Sequence, residues 1–332
     1  MKLILRIGGL VFLLGVAIGV GWFLASGKML QKITVEPKWI NQAQYTGLFV
    51  ADDRGLYRRN GLKVQIKEFG FETDTLADLL AGKTDMAFTT PEQMLLAVDQ
   101  GAQLVAIAAF YQISPMSIVS LVGSGIETPA DFKDKVLGNK AGNVEENLLY
   151  GLMLKEVGLT EKDTTIKKVG LESRELDDLK MRTVDTIDLY RTDQLYFFKR
   201  EKVKYNLIYP ERFGVNSFTD ILVVRKDWLN ENAEAVKSFL RATIDGWRLA
   251  IADQESAIAT TLKYVTSEAY KDFDYEMFIL EQSTPLIRPT SESNIGIMDV
   301  NKWNKLAGAL QKAGYLKNNI DVNTVFTNSY LP

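Results

Sequence analysis

The side chains in this chain that could do chemistry collect at the ends of apolar runs. Trp39, Gln42 and Tyr45 form a polar, aromatic tip just after the run Ile33-Thr34-Val35. Thr90 and Glu92 stand where Asp85-Met86-Ala87-Phe88 gives way to a helix start, and Gln112 follows the wholly apolar run 104–111. Asn143 and Glu145 open a later helical stretch, Tyr190 ends the run 185–189, and Phe218 and Asp220 precede the run 221–224. Aromatic faces with a few hydrogen-bonding groups are what non-covalent capture of a small molecule requires. In that use Asp220 accepts from a ring N–H or an amine. Each group also has an ordinary structural use. Thr90 caps a helix in any case, Glu92 in a first turn is worth only ~0.3–1 kcal/mol to the helix dipole, and Asp220 can cap a turn. Gln112 would cost ~1–3 kcal/mol if buried unpaired, so a ligand or a backbone partner must satisfy it.

Composition removes most alternatives. The 332 residues contain no cysteine and no histidine, which excludes disulfides, thiol nucleophiles, thiolate metal sites, a Ser-His-Asp triad and most zinc sites. No catalytic residue, metal or cofactor is therefore expected. The chain is 46% hydrophobic and 24% charged, ordinary for a folded protein, with a formal net charge of −3. Residues 1–28 contribute Lys2, Arg6 and Lys28 and no acidic residue, leaving 36 basic against 42 acidic residues beyond them. A nucleic-acid partner calls for a basic surplus instead.

The elements that must position the tips read as α/β. A strand at 33–35, a helix from Thr46 and the alternating strand 62–66 make one β-α-β unit, with Gly61 as the helix stop. A helix at 73–81, a strand at 85–88, a capped helix from Thr90-Pro91 and a buried strand at 104–111 follow. Residues 118–122 read as the strand leaving a first lobe. Strands at 136–138, 166–169 and 185–190 with helices at 144–157 and 174–181 build a second lobe, and 219–224 returns. Two crossings make a hinge. We expect one lobe over 32–120 plus 223–332 and the other over 121–222. From 229 to 264 the pattern is helical, with Val236, Phe239, Leu240, Ile244, Trp247 and Ala250 on one stripe, so Trp247 belongs to the core. The last 65 residues are expected to continue as helices, with a loop at 285–289.

Residues 3–25 are apolar except for Arg6, and Ile7 to Ala25 gives 19 uncharged residues, close to the ~20 that span a bilayer. Basic residues precede the run, so an N-terminal transmembrane helix over 1–28 is expected, acting as an uncleaved signal anchor with the rest exported. A signal peptide is the alternative.

The spacing W-x5-Y-T-G-L-F-V-A-x3-G-L-Y-x3-G-L-x-V over 39–64 resembles the opening of substrate-binding proteins of ABC importers. The segments LLAGKTDMAF (79–88), LVAIAAFYQISPMSIV (104–119), GIETPADFKDKVLG (125–138), RFGVNSFTDILVV (212–224) and FLRATIDGWRLAI (239–251) agree in order. The resemblance is to the family that binds thiamine-pyrimidine precursors, riboflavin, alkylsulfonates or nitrate. It implies a two-lobed type II periplasmic-binding-protein fold and a monomer outside the cytoplasm, delivering a ligand to an ABC permease and its ATPase. It also implies that the aromatic-x-Asp at Phe218 and Asp220 faces the cleft. Tyr45 stands where the thiamine-pyrimidine branch often has histidine, which counts against formylaminopyrimidine as the ligand and leaves room for a larger aromatic heterocycle such as a flavin. Few arginines lie at the tips apart from Arg191, so an alkylsulfonate or nitrate ranks lower. A sensory module without transport is a further alternative. A pyrimidine synthase of this fold depends on histidine and a cysteine-rich iron site, and neither residue type is present.

Overall fold

Apolar runs of four to eight residues alternate with amphipathic stretches along the chain, and each run becomes a strand. The computed structural model describes residues 29–70, 72–139, 144–169, 174–268 and 270–332, with backbone alone at 144–146. The transmembrane expectation over 1–28 lies outside them. No helix among the described residues is long and apolar enough to cross a membrane.

The strands are β1 (Gln31–Glu36), β2 (Leu62–Ile66), β3 (Met86–Thr89), β4 (Leu104–Tyr111), β5 (Met116–Leu121), β6 (Val136–Asn139), β7 (Thr165–Lys168), β8 (Thr186–Tyr190), β9 (Tyr205–Ile208) and β10 (Thr219–Arg225). The helices are α1 (Thr46–Asp53), α2 (Leu56–Arg59), α3 (Thr75–Leu80), α4 (Pro91–Asp99), α5 (Val144–Glu156) and α6 (Glu175–Lys180). They continue as α7 (Leu195–Arg200), α8 (Lys226–Ala252), α9 (Gln254–Thr261), α10 (Phe273–Ile287) and α11 (Val300–Ala313).

Two five-stranded sheets result, in the orders β2-β1-β3-β10-β4 and β7-β6-β8-β5-β9. In the first, β1 pairs in parallel with β2 and β3, and β10 returns antiparallel between β3 and β4. In the second, β6 runs parallel to β7 and β8, while β5 lies antiparallel between β8 and β9. This is a two-lobed periplasmic-binding architecture. The chain passes between the sheets at 112–115 and 209–218. The boundaries expected at 120/121 and 222/223 fall inside β5 and β10, because a strand carries the same apolar pattern whichever sheet it joins. We propose the two connections as the lobe boundaries instead.

Local chemistry explains most element ends. Thr90 accepts from the Gln93 amide and Pro91 sits in the first turn of α4. Gly55 takes φ +67 and divides α1 from α2, where the sequence reads as one helix. All eight residues of β4 are buried, as a strand covered on both faces must be. The expected helical C-terminus is corrected beyond Gly314, a left-handed cap that ends α11. The tail that follows runs beside β4: Ala106 N–H donates to Val325 O at 2.8 Å, and Thr327 N–H to Ala106 O at 2.9 Å. The expected loop at 285–289 begins at Arg288, since α10 includes Pro285.

Helices α1 and α8 cross at contact distance because each presents a glycine. A Cβ at Gly246 would lie 2.1 Å from the Gly47 carbonyl oxygen, and one at Gly47 would lie 2.3 Å from the buried Trp247 ring. At Gly246 nothing but glycine fits without moving backbone, and at Gly47 the Trp247 ring would have to move. Gly246→Ala is therefore expected to lower the melting temperature by several degrees, for ~1–3 kcal/mol of overpacking. Gly308→Ala, in α11 with nothing within 4 Å of the added carbon, should raise it, since alanine is favoured over glycine in a helix by ~1 kcal/mol. Thermal melts of both variants check the contrast.

Candidate functional site

Asp220, the second residue of β10, has φ +48, a left-handed backbone that few residues other than glycine adopt readily. Its carboxylate is buried and accepts from Gln44 Nε2 at 3.0 and 2.8 Å. Lys38, just beyond β1, pairs with it at 3.3 Å. Lys38 also donates to the Tyr190 hydroxyl at 2.7 Å and lies 4.9 Å from the centre of its ring. The Tyr190 hydroxyl is in turn 3.2 Å from Thr219 Oγ1. Tyr190 ends β8, so one lysine joins the two sheets. Burial raises the Asp220 carboxyl above its ordinary value, with Lys38 and Gln44 acting in the opposite sense. Burial, with Asp220 adding to it, pushes the Tyr45 and Tyr111 phenols well up. Both stay neutral.

The polar seam continues through Gln42, whose amide donates to Gln44 Oε1 at 3.1 Å and to Asp193 Oδ2 at 3.3 Å. Asp193, just beyond β8, also accepts from the Tyr275 hydroxyl of α10. The neighbouring Glu276 accepts from the Ala43 amide at 2.5 Å. Burial raises Glu276 from an ordinary 4.5 to about 8; the Ala43 amide acts in the opposite sense, and Asp193 and Asp272 add to the rise. Aromatic rings close this end, with Tyr196 and Phe197 of α7 centred 5.2 and 5.4 Å from Tyr275. A pocket opens beside the two connections, lined by Glu92, Ser114, Leu149, Glu211, Asn216 and Ser217. Burial raises the Glu92 carboxyl as well.

Of the residues singled out in the sequence, Gln42, Tyr45, Tyr190 and Asp220 come together. Tyr45 is buried, accepts from Gln44 Nε2 at 3.3 Å and meets the Phe88 ring edge-on at 5.3 Å. Glu92 lines the pocket, and Thr90 is the helix cap. Trp39 is half-buried, its ring 5.8 Å from Phe69. Gln112 finds backbone partners, donating to the carbonyls of Ala109 at 2.8 Å and Ile297 at 2.9 Å. Phe218 is buried 6.0 Å from Trp303, with Lys302 Nζ 4.6 Å from its ring centre. Asn143 lies outside the described residues, and Glu145 is described only as backbone in α5.

Lys38, Gln44, Asp193, Tyr275 and Glu276 complete the seam and escaped sequence reasoning. Lys38 and Gln44 flank the tip that was recognised, and Asp193 follows Tyr190 by three residues. Position relative to a strand end would have found these three. Nothing in the pattern of α10 marks Tyr275 or Glu276.

The NMT1/THI5-like family matches residues 42–257 of the chain. The chain is 23% identical to the riboflavin-binding protein RibY of Chloroflexus aurantiacus, over 91% of this chain and 87% of that one. It is 25% identical to a 4-amino-5-hydroxymethyl-2-methylpyrimidine phosphate synthase of Schizosaccharomyces pombe, over 90% and 86% respectively. The periplasmic aliphatic sulphonate binding protein of Escherichia coli superimposes with a TM-score of 0.68 at 16% identity, over 90% of this chain and 99% of that one. That likeness is one of fold.

The buried Glu276 gives a pH signature with a definite sign. The folded state holds this proton up to about pH 8, whereas the unfolded chain releases it near the ordinary value of 4.5. Its stabilising contribution is full below that ordinary value and is lost as pH rises through the folded one. Denaturant unfolding should show stability falling by a few kcal/mol over that interval, at about 1.4 kcal/mol for each pH unit crossed. Glu276→Gln should flatten the fall.

Proposed function

The chain belongs to the NMT1/THI5-like family, and from that premise we propose that it is an extracytoplasmic solute-binding protein of an ABC importer. It captures a small heteroaromatic ligand, a riboflavin-like molecule or a thiamine precursor, between two lobes that close on it. The observation that carries this reading is the polar seam itself. Gln42, Lys38 and Asp220 on the side of the first sheet meet Asp193 and Tyr190 on the side of the second. A device built to separate and rejoin places its polar contacts there, because water replaces them on opening and a ligand replaces water on closing.

The polarity of the seam supports the ligand class. Asp220, Asp193, Glu92 and Glu276 are buried carboxyls, and the lysine among them is already engaged by Asp220. Arg191, the cation near the tips, is held by Glu211 at 3.0 Å and by Ser117 at 3.0 Å. A sulfonate or nitrate needs unengaged cationic donors, whereas a heterocycle bearing N–H groups meets acceptors here. Residues 1–28 fit a signal anchor or signal peptide. Relatives named as synthases make turnover the competing reading. We infer binding instead, since the chain offers neither the histidine nor the thiolate on which such chemistry draws.

Thermal-shift titration of the full chain in detergent tests this with riboflavin, 4-amino-5-hydroxymethyl-2-methylpyrimidine, an alkylsulfonate and nitrate. A ligand at 100 times its dissociation constant should stabilise the protein by about 2.7 kcal/mol. The shift should vanish in Lys38→Ala and Asp220→Ala. A shift with the anions alone would reverse the ligand class, and conversion of a bound heterocycle into product would reverse the binding reading.

A further inference from the structure

The two connections between the sheets are held from one side by the C-terminal third of the chain. In the first, Gln112 is fixed at four points. Its backbone amide donates to Leu286 O at 2.8 Å, and its side-chain amide to the carbonyls of Ala109 at 2.8 Å and Ile297 at 2.9 Å. Its own carbonyl accepts from Lys302 Nζ of α11 at 2.5 Å. In the second connection, the buried Phe218 has its ring 6.0 Å from that of Trp303 and its ring centre 4.6 Å from Lys302 Nζ. One half-buried ammonium therefore touches both connections, a carbonyl of one and a ring face of the other. A charged donor on a carbonyl and a cation over a ring both gain strength where water is kept away. Burial works against the charge on Lys302, and Asp299 and Glu211 favour it.

Just beyond these anchors the connections meet. Ser114 N–H donates to Ser217 O at 3.1 Å and ties one to the other. Beside that rung lies the pocket described above, whose apolar walls include Ile113, Met116 and Val215. Glu92 reaches it from α4 and Leu149 from α5, so it spans the junction between the lobes. Close-packed elements turn against each other only where there is room, and this hollow supplies room at the point where the chain passes between the sheets. Lys302 grips the two residues that border it. We propose that Lys302 is the positioning residue of the hinge: by holding Gln112 and Phe218 together it fixes the spacing of the two connections and biases the molecule toward the closed arrangement. That arrangement is the one seen here, with the bonds from Lys38 to Tyr190 and from Gln42 to Asp193 formed across the seam. Without the clasp the connections slide relative to each other, and the seam loses the register on which those bonds depend. The inference goes beyond the solute-binding reading and takes from it only that the lobes move.

Spin-label distance measurements on the full chain in detergent test this. The chain has no cysteine, so Lys63→Cys and Lys168→Cys supply the only two thiols, on exposed positions of β2 and β7, the outer strands of the two sheets. In that background Lys302→Met, which keeps most of the side chain's length and removes its charge and donors, should add a longer-distance population or lengthen the mean by several ångströms. Lys302→Arg, which keeps a charged donor, should restore most of the native distribution. Lys305→Met, exposed on the same helix, should leave it unchanged. If Lys302→Met fails to fold, Phe218→Leu removes the ring face and should lengthen the distance in the same sense; an unchanged distance there overturns the clasp. A folded Lys302→Met whose distribution superposes on the native one, or moves only to shorter distances, also overturns it. So does a lengthening that arginine does not reduce, which assigns the effect to packing, or an equal lengthening in Lys305→Met. The solute-binding reading fails separately. A lengthened distance in Lys302→Met, with no thermal shift from riboflavin, the pyrimidine, an alkylsulfonate or nitrate, keeps the clasp and removes that reading; a ligand shift with unchanged Lys302→Met distances does the reverse.

Discussion

A buried carboxylate at Asp220 sets the terms for the rest of the cleft. Removing its partner would leave an uncompensated charge in the interior, a loss on the order of 3–5 kcal/mol, so the surrounding chain is arranged to supply one. Lys38 comes from the end of β1 and Gln44 from the turn that starts the first helix. The backbone at Asp220 takes a left-handed conformation, itself worth ~1–3 kcal/mol of strain. Strain of that size persists where the surroundings over-determine it, and three polar contacts from Lys38 and Gln44 to one side chain do so.

That arrangement separates contacts within a lobe from contacts between lobes. The Lys38–Asp220 pair joins strands of one sheet and survives any rotation of the lobes. The bond from Lys38 to Tyr190, and those from Gln42 and Tyr275 to Asp193, run from one sheet's elements to the other's. Opening thus leaves the buried charge paired and exposes neutral or hydrogen-bonding groups. A hinge that had to break an ion pair on each cycle would face a barrier; in the proposed opening only hydrogen bonds would be exchanged with water, at ~0.5–1.5 kcal/mol apiece.

Much of the fold was legible because local physics decides it. The apolar run of β4, the Thr90-Pro91 cap and the stripe from Val236 to Ala250 read from the sequence as they stand in the structure. Trp247 was assigned to the core on spacing alone, and it is buried against Gly47. What failed was non-local. Sheet membership of β5 depends on partners at 186–190 and 205–208, and the apolar pattern of a strand does not name its neighbour. The C-terminal tail follows a glycine cap and pairs with a strand some two hundred residues earlier, so its helical expectation had no local contradiction. In the candidate site, Gln42 was found because it lies in the polar tip between β1 and the first helix, and Asp220 because it stands at the return crossing where the family resemblance puts an aromatic-x-Asp. Glu276 looks in sequence like any solvated helix carboxylate, and only the packing of α10 against the turn at Ala43 buries it.

The same contrast explains why fold alone leaves the ligand open and why charge narrows it. A riboflavin-binding relative and a sulphonate-binding structural neighbour share the architecture, yet their named ligands differ in polarity. Here Asp220, Asp193, Glu92 and Glu276 are buried carboxyls, and Lys38 is engaged by Asp220. Placing an anion 4 Å from a single ionised carboxylate costs about 4 kcal/mol at an effective dielectric of 20, which outweighs several neutral hydrogen bonds. Protonating Glu276 lowers that penalty but supplies one donor, not the ring of donors an oxyanion needs. A ligand that brings its own N–H groups meets no such opposition. Under the proposed reading, the specificity of this cleft rests on the surplus of acceptors over donors, a quantity that depends on burial and so becomes visible only when the chain is folded.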